Sequence, residues 1–142
     1  YTATKKHRGV DLAPFAGSTG QPVYMPWRGK FVGKGYHETA GNYLIAETSF
    51  PFVTWADDIN QKTRTIQANE KLTVLFYHFQ TMNVKTPDII KEGLVIGTIG
   101  NTGKSFGPHL HLEVRLSNGE VVNPIHLLTA TIVGLKEQLL GV

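Results

Sequence analysis

Cysteine is absent from the chain. That excludes thiolate metal sites, disulfide staples and cysteine nucleophiles. It is compatible with export and does not by itself establish it. Long apolar runs are missing as well. None approaches the ~18–20 residues that span a bilayer, so no transmembrane segment is expected. The opening Tyr1-Thr2-Ala3-Thr4-Lys5-Lys6 lacks the apolar centre of a secretion signal. The expectation is a mature or excised piece, its N-terminal strand truncated, with additional domains in a full-length chain. No arginine-rich helix or alternation of basic and aromatic residues is present, so nucleic acid is not an expected partner. No H-E-x-x-H helix is present either, so any proton transfer at a metal site must fall to other groups.

What remains suits one β-rich domain. The 142 residues are 41% hydrophobic and 18% charged, which favours a packed core over disorder. Fifteen glycines and seven prolines suit short strands joined by tight turns. The net charge of +3 inclines the surface weakly towards anionic partners. Strand signals occur at Val23-Tyr24-Met25-Pro26, Gly29 to Gly33, Asn42 to Glu47, Leu72 to Phe79, Leu94 to Gly100 and Leu110 to Leu116. Ser117-Asn118-Gly119-Glu120 reads as a hairpin turn. In the strongest strand, alternation puts Leu72, Val74, Phe76 and His78 on one face. Segment 48–70 is less regular and reads as a long loop or a projecting hairpin. Helical signals are confined to the end: a turn near Pro124 to Leu128, then an amphipathic pattern from Thr131 to Leu140 weakened by Gly134.

The chemistry gathers around histidine. His109-Leu110-His111 follows a glycine-rich turn and enters a strand. Side chains two apart on a strand share a face, so His109 and His111 point the same way while Leu110, Leu112 and Val114 pack behind. Glu113 shares the histidine face. It can orient an imidazole or pair with Arg115 or a lysine, and both roles stay open. His7 and Asp11 offer a second pair of ligand-type groups. His78 ends the apolar strand. Taken alone, a histidine at such a position is usually a satisfied, partly buried residue.

Together these pieces resemble one family. His7-Arg8-Gly9-Val10-Asp11 is similar to the H-x-G-x-D opening of the M23 metallopeptidases of lysostaphin and LytM type. Tyr77-His78 is similar to their central histidine segment, with Tyr77 here directly preceding His78. Ile90 to Gly103 and Gly107-Pro108-His109-Leu110-His111-Leu112-Glu113 resemble their most specific block, and Val122-Asn123-Pro124 their closing motif. The resemblance runs from Tyr1 to Leu128. It implies an all-β domain over residues 1–128, a compact antiparallel sheet or sandwich with an open groove and a short C-terminal helix. Residues 129–142 would be a tail or helix.

The same resemblance implies a zinc-dependent endopeptidase acting on peptidoglycan peptides. His7, Asp11 and His111 would hold one Zn²⁺, and His78 and His109 would be catalytic. It implies an extracellular or envelope location, whether secreted, periplasmic or on a phage particle. Segment 48–70 departs from the family pattern by its length. Trp55 and the Asp57-Asp58 pair could bear on which cross-link is accepted, against the alternative of a passive surface insertion. Two other functions compete. One is a catalytically inactive member serving as a regulator or wall-binding module. The other is a lipoyl- or biotinyl-type carrier, suggested by the glycine turn within Ile90 to Gly97.

Overall fold

A computed structural model describes residues 8–14 and 17–128. Among the described residues eleven strands run in the order β1 (Val10–Leu12), β2 (Pro22–Tyr24), β3 (Gly29–His37), β4 (Gly41–Thr48), β5 (Thr54–Asp57), β6 (Thr63–Ile66), β7 (Leu72–Met82), β8 (Ile89–Ile90), β9 (Val95–Ile99), β10 (Leu110–Arg115) and β11 (Val121–Val122). Every strand pairing among the described residues is antiparallel. Nine strands form one sheet with the central order β1-β10-β7-β4-β3-β8; β5 and β6 make a separate hairpin. One helical turn covers residues 125–128. The expected all-β antiparallel domain with a short helix is what the chain forms. The amphipathic pattern from Thr131 to Leu140 lies outside the described residues.

The core follows from alternation. Val74 and Phe76 on β7, Leu112 and Val114 on β10, Leu44 on β4 and Phe31 on β3 are all buried on one face. Phe76 is the register partner of both Leu44 and Leu112, so three strands contribute to one apolar layer. Burying side chains of this size is worth ~1.5–3 kcal/mol each before the entropy of ordering is charged against it.

β7 is the spine, and its edge changes partner part-way. Thr73 to Tyr77 pair with β10, whereas Phe79 to Met82 pair with β9. His78 sits at that junction. There β7 also carries one extra residue: Asn42 and Leu44 are two apart, while their partners Phe79 and Phe76 are three apart. His78 absorbs the bulge with φ of 74°, a left-handed backbone that costs a side-chain-bearing residue ~1–3 kcal/mol. Strict alternation would have put His78 on the core face with Leu72, Val74 and Phe76. The bulge reverses it, and Phe79 takes the core position instead, 0% exposed.

Segment 48–70 is the hairpin β5–β6, and it does not project freely. Ala56 and Ile66 are fully buried. Asp58 Oδ1 accepts from the backbone of Asn60 and Lys62 and closes the turn. Its other oxygen accepts from Arg64 at 3.0 Å. The ring of Trp55 stacks on His126 at 3.8 Å, and Asn123 N–H donates to Asp57 O. The turn at 117–120 forms as expected, with Gly119 at φ 86° and Leu116 N–H bonded to Glu120 O.

Candidate active site

The loop from β9 to β10 closes over the junction in β7. Gly100 and His109 form an isolated bridge at its base. The loop brings His109 beside His78, ring centroids 4.7 Å apart. β10 carries His111 opposite Tyr77, and their rings stack at 5.1 Å. β1 lies on the outer side of β10 with Asp11 paired to His111. Thus Asp11, His78, His109 and His111, which lie on separate strands and a loop, come together, and His78 and His111 line a groove of about 510 Å³. His7 lies outside the described residues. Gly9 passes so close that a β-carbon there would lie 2.9 Å from the His111 ring, which is why the segment before Asp11 needs a glycine.

Each imidazole is fixed through one nitrogen. His78 Nδ1–H donates to Thr102 O at 2.7 Å, leaving Nε2 for the groove. His109 Nδ1–H donates to Gly107 O at 2.8 Å, with Ser105 Oγ at 3.2 Å beside it. Its Nε2 then stands 3.6 Å from Asp11 Oδ1. Two adjacent imidazoles, each held through Nδ1 with Nε2 left over, suit proton transfer. Burial pushes the His78 pKa below its ordinary value, against the opposing effect of the Thr102 carbonyl, with the neighbouring His109 and His111 adding to the depression.

His111 is held the other way round. Its Nε2–H points to Glu113 Oε1 at 3.4 Å, and its Nδ1 lies 3.1 Å from Asp11 Oδ1. Glu113 is itself buried and anchored by Arg115, whose NH2 is 2.6 Å from Oε2. A neutral His111 donating through Nε2 turns a lone pair at a carboxylate oxygen. Two acceptors at that distance repel unless a cation lies between them. Without a metal the proton fills that role: burial opposes charging His111, but Glu113 and Asp11 outweigh it and raise the pKa. With Zn²⁺, two ligand atoms at ~2.0–2.1 Å in a tetrahedron stand ~3.3 Å apart, close to the observed separation. The donor chemistry and spacing therefore fit a zinc ion. Among the described residues, no group of three or more His, Cys, Asp or Glu side chains makes a complete metal site. The third expected donor is His7.

Tyr77 was legible in the sequence only as a motif neighbour. Its role as the ring packed on His111 follows from strand register, which no local pattern reveals. Burial, and then the charge of Glu113, raise its pKa. Thr102 was equally hidden, since its contribution is a backbone carbonyl.

Residues 51–124 match the profile of peptidase family M23. The peptidoglycan DD-endopeptidase ShyC of Vibrio cholerae is 32% identical over 120 residues, covering 84% of this chain and 22% of that protein. The chain belongs to peptidase family M23. A second Vibrio cholerae protein, the peptidoglycan DD-endopeptidase ShyB, is 34% identical over 81% of the chain and 22% of its own length. The chain thus spans about a fifth of the length of these curated relatives. Among solved structures, the catalytic domain of lysostaphin from Staphylococcus simulans superposes with a TM-score of 0.64 at 28% identity, covering 87% of this chain and 79% of that one. A zinc-containing peptidase from Vibrio cholerae gives 0.59 at 30% identity over 82% of this chain and 29% of that one. M23 is a metallopeptidase family. Family membership overturns the carrier-domain reading of residues 90–97.

Proposed function

We propose that this M23 chain is a zinc-dependent endopeptidase that hydrolyses peptide bonds of bacterial peptidoglycan. In this reading His7, Asp11 and His111 hold the ion, and His78 and His109 move protons. The observation that carries it is the pair of acceptors, Asp11 Oδ1 and His111 Nδ1, set 3.1 Å apart beside two imidazoles that keep Nε2 free of the loop carbonyls. Bound there, the ion supplies a Lewis acid that makes water acidic near neutral pH and polarises a carbonyl.

The chain's own residues do the rest. Glu113 holds Nε2 of His111 so that Nδ1 faces Asp11. His78, kept neutral at pH 7 by its depressed pKa, is ready to accept a proton at Nε2 from the attacking water. The water oxygen bonds to the carbonyl carbon, the C–N bond breaks, and the amine leaves with a proton returned through the histidine pair. The bulged backbone at His78 and the carbonyls of Thr102 and Gly107 fix both rings before substrate arrives, so less ordering is needed at reaction. The names of the relatives support peptidoglycan as the substrate and an extracellular or envelope location.

The test combines metal analysis with product analysis. The parent protein should retain about one zinc per chain and release new amine ends from cross-linked peptidoglycan, identified by mass spectrometry. Asp11→Asn and His111→Ala should each lose the metal, because a three-ligand site with one ligand removed is weak. Full zinc in the His111 variant would overturn the ligand assignment. Full zinc in a parent that cuts no peptidoglycan would support the inactive regulator or wall-binding module instead.

A further inference from the structure

The rim of the groove carries side chains that the hydrolytic chemistry does not use. Phe106 is 101% exposed yet lines the same groove as Tyr77, His78 and His111. A fully exposed phenylalanine on the rim of a polar groove contributes no core burial and leaves its ring open to a bound ligand. Its turn is tied down on both sides. Lys104 N–H donates to Thr39 O at 3.0 Å, Ser105 Oγ–H to Gly107 O at 3.0 Å, and His109 N–H to Gly100 O at 3.1 Å. The ring is therefore presented on a held turn three residues before His109.

Charge adds a second, independent feature. Lys104 and Arg8 line the same groove as the ring, and neither forms an ion pair among the described residues. Arg115, by contrast, is neutralised by Glu113. An apolar ring beside cations lacking carboxylate partners complements a ligand with a methyl-bearing side chain next to a carboxylate. A glycine bridge offers neither group.

We propose that Phe106 and Lys104 are specificity-determining residues that favour an alanine-containing, carboxylate-bearing stem-peptide cross-link over an uncharged glycine bridge. This rests on the peptidase reading above and adds the substrate class. Phe106 contributes contact with a methyl group, and Lys104 a charge that screens with salt.

The experiment uses three synthetic peptides: an alanyl cross-linked peptide with a free carboxylate, its amidated form, and a pentaglycine peptide. Phe106→Ala should lower the alanyl-to-glycyl ratio of kcat/KM about 10-fold, the scale of a lost methyl contact, mostly through KM. Phe106→Leu should restore part of that ratio, and the melting temperature should not move in either variant. Lys104→Gln should reduce the preference for the free carboxylate over the amide and flatten its salt dependence. An unchanged ratio in Phe106→Ala, or an equal loss on both peptides, overturns the role of Phe106. An unaltered acid-to-amide preference in Lys104→Gln overturns the role of Lys104.

Binding separates this inference from the reading it rests on. Metal-free protein is titrated with the same peptides and followed by NMR. If the parent cleaves none of them, the peptidase reading fails and the titration still decides. An upfield shift of the alanyl methyl signal that disappears in Phe106→Ala supports the contact. Equal affinity of parent and variant for all three peptides overturns it.

Discussion

His78 concentrates three costs in one residue: a left-handed backbone, a buried ring and two neighbouring imidazoles. Residues that carry such strain cluster at functional sites because the surrounding structure over-determines them. The titration signs follow. The depressed pKa of His78 gives stability that is present above its ordinary 6.5 and lost as pH falls through the folded value. The raised pKa of His111 does the opposite, giving stability below 6.5 that is lost as pH rises through the folded value. Glu113, held low despite burial by His111 and Arg115, contributes stability above 4.5 that is lost on acidification. A melt would blend these effects. Ring-nitrogen NMR of metal-free protein should separate them, with the His78 midpoint below 6.5 and that of His111 above it. The reverse order would contradict the hydrogen-bond assignments at both rings. In zinc-loaded protein, His78→Ala and His109→Ala should each lower kcat by ~10²-fold or more while zinc content is kept. Near-parental kcat in both would remove histidine from the proton transfers.

At the scale of elements, how much could be read from the sequence depended on whether the pattern was local. The strands at Leu72 and Leu110 declare themselves by alternation. His109 and His111 declare themselves by two-residue spacing on a strand. The reversal of His78 does not, because a bulge is fixed by what lies on both neighbouring strands. The fate of segment 48–70 was hidden for a similar reason. Its partners, Val122, Asn123 and His126, are more than fifty residues away in the chain. None of Trp55, Asp57 and Asp58 lines the groove that holds His78 and His111. The hairpin leaves the sheet at Thr48, opposite Leu72, and six residues of extended strand put that end ~20 Å from His78. Trp55 is stacked, and Asp58 is spent on its own turn and on Arg64. The hairpin packs on the domain through Ala56 and Ile66. Ile66→Ala should destabilise the protein by ~2–5 kcal/mol in denaturant unfolding. The alanyl-to-glycyl ratio of kcat/KM should stay at the parental value. A changed ratio in a variant that still folds would return the segment to a selective role.

For the whole molecule, the question is how segments far apart in sequence hold four groups in register. One answer lies where the β3–β4 turn meets the loop before β10. Thr102 bonds Asn42 N–H through its hydroxyl, which in turn donates to Phe79 O, while its carbonyl accepts from His78. Gly103 makes this approach feasible. It sits at φ 74°, and a β-carbon there would overlap the Gly41 nitrogen. The contact thus ties residues 39–42, 78–79 and 102–104 together, three stretches that the linear sequence gives no reason to associate. It fixes His78 without touching Asp11 or His111. Gly103→Ala must therefore push the loop away from Gly41 and carry the Thr102 carbonyl with it. The expected result is a melting temperature lower by several degrees. In the survivors, kcat should fall at least 10-fold with KM little changed, because the ring that moves a proton is misplaced while the substrate groove persists. Zinc should remain at about one per chain. Parental kcat in a folded Gly103→Ala protein would show that His78 needs no anchor at Thr102. Loss of zinc along with activity would mean that the loop supports the metal ligands as well, and that the two halves of the site are not separable.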